Sequence, residues 1–109
     1  MSKEISTPRY RPTKEQINAV QHYLAREFRG DVRCTWWEEA EMAQIFEIAY
    51  GDGLQRLVMD GGFFQACPDY AAALRDSELA DYIRESRSPR RCFCVTWHDQ
   101  TLHVRSKPL

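Results

Sequence analysis

The sequence predicts an α+β domain, a two-layer sandwich in which an antiparallel sheet of about five strands carries its helices on one face. Three features of the chain predict it. The run from Phe46 to Met59 has Asp52-Gly53 near its centre, a dipeptide that supplies the φ > 0 residues of a tight type I′ turn, with apolar residues alternating on both sides. A capped amphipathic pattern precedes it at 14–29, and a second alternating run follows at 92–106. The resulting order is helix, three strands, helix, two strands. One domain at 13–109 follows a flexible basic tail at 1–12.

The elements follow in chain order. Residues 1–12 hold two prolines and three basic residues with little to bury. Thr13 is a good N-cap, and Gln16 completes a capping box with it. Ile17, Val20, Leu24 and Phe28 recur at helical spacing until Gly30 stops the run. Val32, Cys34 and Trp36 alternate with Arg33, Thr35 and Trp37 as a first strand. Thr35-Trp-Trp-Glu38 is also a capping-box pattern, so Glu38 to Tyr50 has a helical alternative. The acidic residues of that stretch scatter around a helical wheel, which favours the strand and makes Glu38–Glu41 the connection. The hairpin then pairs Tyr50 with Gln55, Ile48 with Leu57 and Phe46 with Met59, leaving Phe46, Ile48, Leu57 and Met59 on one face.

Gly61-Gly62 releases the chain into a helical region broken at Pro68 and again near Asp76-Ser77. Ser86 to Arg91 reads as a loop. A second hairpin turns at Asp99-Gln100, pairing Phe93, Val95 and Trp97 with Ser106, Val104 and Leu102. This order is similar to that of type III secretion chaperones, which carry a third helix besides. No motif is shared, so the likeness is architectural and implies no function.

Composition bounds the class. Hydrophobic content of 43% and charged content of 28% suit a soluble globular chain. No apolar run approaches the ~20 residues of a membrane span, and the first residues lack a signal-peptide core, so the expected compartment is cytoplasmic. Cys34, Cys67, Cys92 and Cys94 are then expected as reduced thiols. The net charge of −1 hides an asymmetry: residues 1–33 sum to +3, residues 34–85 to −8 and residues 86–109 to +4. Such a field steers partners, or simply solvates exposed helix faces.

Candidate chemistry is sparse. Cys92 and Cys94 share a strand face with His98 and His103, but their spacing is not that of known zinc sites, so no metal or other cofactor is expected. Cys67 before Pro68 is the best-placed nucleophile, at an expected helix N-terminus, and a buried structural cysteine explains it as well. Asp60-Gly61-Gly62 lacks the remaining residues of any phosphate-binding motif, and Asp60 repels phosphate. No enzyme signature emerges. Arg87, Arg90 and Arg91, with serines among them, form the candidate anion-binding surface of an accessory nucleic-acid-binding protein. The sheet's second face offers Trp37, Ile45 and Val58, an apolar cluster of the kind that marks protein interfaces. The reading is therefore a non-catalytic protein-binding or adaptor domain that forms a homodimer through Trp37, Ile45 and Val58, with nucleic-acid contact as the alternative.

Overall fold

Helix α1 (Lys14–Phe28) opens on the reciprocal cap its sequence encodes. The Gln16 amide N–H donates to Thr13 Oγ1 at 3.2 Å, and the Thr13 N–H donates to Gln16 Oε1 at 2.9 Å. Its buried stripe is Val20, Leu24 and Phe28. At the far end, Arg84 Nη2 donates to the Glu27 carbonyl at 2.6 Å and to its carboxylate at 3.0 Å, satisfying a helix terminus that lacks an intrahelical partner. The computed structural model describes residues 11–28, 32–50, 53–77, 79–85 and 90–108, with the side chains of Tyr50 and Ala71 excepted. Most of the expected tail, the helix stop at Gly30, Asp52 of the first turn and Arg87 lie outside the described residues.

Strands β1 (Val32–Glu38), β2 (Ala43–Tyr50) and β3 (Gly53–Asp60) form an antiparallel meander. The stretch with a helical alternative is thus strand, and Glu39–Met42 turns between β1 and β2, with Met42 at φ 51°. Three short helices follow, α2 (Gly61–Ala66), α3 (Tyr70–Asp76) and α4 (Leu79–Glu85), broken where Pro68 and Ser77 break the pattern. Strands β4 (Arg90–His98) and β5 (Thr101–Pro108) close the chain as a hairpin. The sheet order is β1-β2-β3-β4-β5. It is antiparallel except at its centre, where the helical crossover returns β4 parallel to β3.

Four helices cover one face. Phe46, Ile48, Leu57, Met59, Phe93 and Val95 from the sheet pack with Val20, Leu24, Phe28, Phe63, Phe64, Leu74, Leu79 and Ile83 from the helices. Burying each such side chain contributes on the order of 2 kcal/mol. The two-layer α+β architecture is the predicted one.

Two registers differ from expectation or match it in instructive ways. The second hairpin pairs Phe93 with Ser106, Val95 with Val104 and Trp97 with Leu102, as the alternation predicts, and Asp99 and Gln100 take φ 52° and 62°. The first hairpin closes earlier than expected: Tyr50 pairs with Gly53, Ile48 with Gln55 and Phe46 with Leu57. Gly53 is therefore a strand residue. The shift is by an even number of positions, so the core face is unchanged. The observed register sets Ile45 against Val58 and Glu47 against Arg56, an apolar pair and an ion pair that the expected register lacks.

Candidate functional site

The uncovered face of the sheet is where the described residues leave room for function. Its side chains lie in cross-strand rows. One row runs Cys34, Glu47, Arg56, Cys92, Lys107, and the next runs Trp36, Ile45, Val58, Cys94, Arg105. In the first row Arg56 Nη2 meets Glu47 Oε2 at 2.6 Å, and the Cys34 thiol donates to Glu47 Oε1 at 3.3 Å. The guanidinium holds the Glu47 carboxyl below the usual range, chiefly through that hydrogen bond. Donation to Glu47 pushes the Cys34 thiol up, since ionising it forfeits the bond.

In the second row Trp36 spreads over the strand centres. Its indole N–H donates to Glu38 Oε1 at 3.4 Å, and the Arg56 guanidinium lies 5.4 Å from its ring centroid. Ile45 beneath is only 3% exposed, so the face is partly sealed by its own large side chains. What remains is a trough of about 280 Å³ whose lining includes Trp36, Ile45, Val58 and Cys92 with Glu38, Glu41 and Lys107.

Trp37 does not belong to this cluster. It pairs with Gln44 in the row that holds Met59, on the helix-covered side, and Arg11 lies 5.4 Å over its ring. The cause is an irregularity in β1: the register shifts between Val32 and Cys34, which leaves Val32 opposite Ile48 but sends Cys34 and Trp36 outward. Trp36 therefore takes the place expected of Trp37 beside Ile45 and Val58. No residue type in Val32–Cys34 announces a bulge, although the Trp36-Trp37 pair marks the strand as one with an aromatic on each face.

The expected anion-binding arginines are not brought together. Arg90 pairs with Leu54 and Arg91 with Gln55, so they point to opposite faces. Arg91 Nη2 donates to Ser106 Oγ at 2.6 Å. Arg87 lies outside the described residues.

The thiols and glycines resolve into structural roles. Cys67 is the C-cap of α2, not a helix N-terminus; its N–H donates to the Phe63 carbonyl at 3.0 Å, and burial pushes its thiol up. Burial, with Cys94 beside it, raises Cys92 to about 11, far from a thiolate at neutral pH. Asp60 caps α2 by accepting from Gly62 N–H at 3.0 Å, so the strand-to-helix turn already holds a carboxylate where an anion would sit. A Cβ on Gly62 would lie 2.6 Å from Asp60 Oδ2, which accounts for that glycine. Among the described residues, no three His, Cys, Asp or Glu side chains converge as a metal site demands, and no helix is long and apolar enough to cross a membrane.

A wider groove of about 590 Å³ lies along α1 and α3, lined by His22, Tyr23, Arg26, Glu27 and Arg75. Burial and Glu27 push the Tyr23 hydroxyl up to about 12, so it offers no proton exchange near neutrality. A scan against protein-family models and searches of curated proteins and of solved structures each returned no match for this chain.

Proposed function

We propose that this chain is a non-catalytic protein-interaction module that self-associates through the uncovered face of its sheet, with Trp36 and Val58 as contact side chains over the buried Ile45. The observation that carries this reading is a half-covered sheet: four helices bury one face, and among the described residues no helix lies over the other, which presents an aromatic-lined trough. The free sheet edges support it by exclusion. Edge strand β1 is broken by its irregularity at Val32/Cys34, and edge strand β5 carries Arg105, Lys107 and Pro108. Bulges, charges and proline are the devices that discourage edge-to-edge pairing, so the face is the better contact.

A large, rigid aromatic in a partly desolvated setting is a typical energetic anchor. The test is sedimentation velocity across tens to about two hundred micromolar, a range set by ordinary micromolar affinities. The expected result is concentration-dependent dimerisation that Trp36→Ala removes while Trp37→Phe preserves it. A wild-type chain that stays monomeric throughout refutes self-association. Tight, salt-sensitive binding of DNA or RNA that survives Trp36→Ala would replace this reading with phosphate contact.

A further inference from the structure

We infer that the groove along α1 and α3 is a binding site for a small organic phosphate, held by Arg26 and Arg75. The groove belongs to the helical layer, so the inference stands independently of self-association through the sheet. Helical spacing assembles it. His22 and Arg26, four residues apart, share one side of α1 with Ala19 and Tyr23, and Arg75 joins them from the last turn of α3. With Glu27 they line about 590 Å³, inside the range of about 300–1,000 Å³ typical of small-molecule sites.

The polar groups of this groove are nearly all donors. Arg26 and Arg75 each present a planar fork of N–H groups, and His22 adds an imidazole N–H. Burial and Glu27 keep the Tyr23 hydroxyl protonated, so it donates as well. The carboxylate among them, Glu27, is already taken by Arg84 Nη2 at 3.0 Å. Asp81, the other acid close to Tyr23, is taken by Arg84 Nη1 at 3.3 Å. Among the described residues, no carboxylate lies within ion-pair distance of Arg26 or Arg75. A simpler role is open to each arginine alone, since a cation in a last turn complements the helix dipole. That role requires neither a shared groove nor a hydroxyl and an imidazole beside the forks. A phosphate monoester brings three terminal oxygens and a charge of about −1.5 to −2, which two guanidinium forks and a hydroxyl match better than they match a carboxylate. Ala19 and the Tyr23 ring supply apolar wall for the organic part of the ester.

The test is an amide-resolved NMR titration of the full chain with phenyl phosphate, with benzoate and inorganic phosphate as comparators. Shifts are expected in residues 19–27 and 70–76, at millimolar or tighter affinity, about −4 kcal/mol or better. Arg26→Gln/Arg75→Gln is expected to bind at least about tenfold more weakly. Both residues are exposed, so this variant should fold, which its urea midpoint checks; Arg75→Gln alone serves if it does not. Inorganic phosphate is expected to compete at the same residues and to bind more weakly. No shift in these segments up to about 10 mM phenyl phosphate, tenfold beyond millimolar affinity, overturns the site, and so does unchanged binding by the double variant. Benzoate binding as tightly as phenyl phosphate overturns the choice of phosphate, and inorganic phosphate binding as tightly overturns the ester. A thymidine oligonucleotide that binds these residues far more tightly, with a steep salt dependence, replaces the small ligand by nucleic acid.

Discussion

The junction of β3 with α2 supports a quantitative prediction. Asp60 Oδ2 accepts the Gly62 N–H at 3.0 Å, and an added Cβ at Gly62 would approach that same oxygen to 2.6 Å. Gly62→Ala therefore has two opposed effects. Restricting the unfolded chain and improving helix propensity stabilises by about 0.5–1 kcal/mol. Displacing the carboxylate, the flexible end of its side chain, costs the cap, about 1 kcal/mol within a range of 0.5–2. In the wild-type background the two oppose each other, with a net change between about 0.5 kcal/mol stabilising and about 1.5 kcal/mol destabilising. In an Asp60→Ala background no cap remains to lose, and Gly62→Ala stabilises by about 0.5–1 kcal/mol. The coupling across the double-mutant cycle is about 1 kcal/mol. Urea unfolding at neutral pH reads it as midpoint differences of about 0.5 M or more at constant slope. Equal stabilisation by Gly62→Ala in both backgrounds would refute the cap and the reason offered for the glycine.

Two further outcomes follow from polar contacts in the sheet. Thr35 Oγ1 donates to the Ile45 carbonyl at 2.7 Å and accepts from Gln44 Nε2 at 2.8 Å, with Gln44 only 4% exposed. Thr35→Val strands a buried amide and should cost about 1–3 kcal/mol, much of it regained in Thr35→Val/Gln44→Leu; a double variant no more stable than the single would contradict this. The Glu47 carboxyl is depressed by Arg56, so its contribution is full above the ordinary glutamate value of about 4.3 and fades as pH falls through the lower folded value. Glu47→Gln should accordingly be less stable than wild type at neutral pH, with the gap closing near and below pH 4; urea midpoints from pH 7 to 3 check it, and a gap independent of pH refutes it.

Much of the fold was legible because local signals agreed with one another. The Thr13/Gln16 box, the breaks at Pro68 and Ser77 and the whole register of the second hairpin follow from cap chemistry, backbone limits and alternation. The first hairpin was legible in its faces but not in its pairs. Any even slip keeps Phe46, Ile48, Leu57 and Met59 together, so hydrophobicity alone is degenerate there. The complementarity of Glu47 with Arg56 and Ile45 with Val58 would have broken the tie. The parallel joining of β3 to β4 depends on where the crossover helices pack, which no local pattern states. For the candidate surface, Ile45 and Val58 were readable and Trp36 was not. A single irregular position near Arg33 decides which tryptophan faces outward, and its own residues carry no mark of that choice.

The central parallel seam also governs how the chain assembles. The paired strands β2 and β3, like β4 and β5, are two residues apart in sequence, whereas β3 and β4 are separated by 29 residues that include α2, α3 and α4. Closure entropy grows with the logarithm of the span, so joining the seam costs about 2 kcal/mol more than closing either hairpin. The sheet thus consists of two halves closed by local pairing and one seam of long sequence separation. The helices between them do the joining: Phe63, one turn into the crossover, packs edge to face on Trp97 of β4 with ring centroids 6.0 Å apart and shares the core with Leu57 and Met59 of β3. Docking that aromatic closes the distance that chain entropy would otherwise keep open.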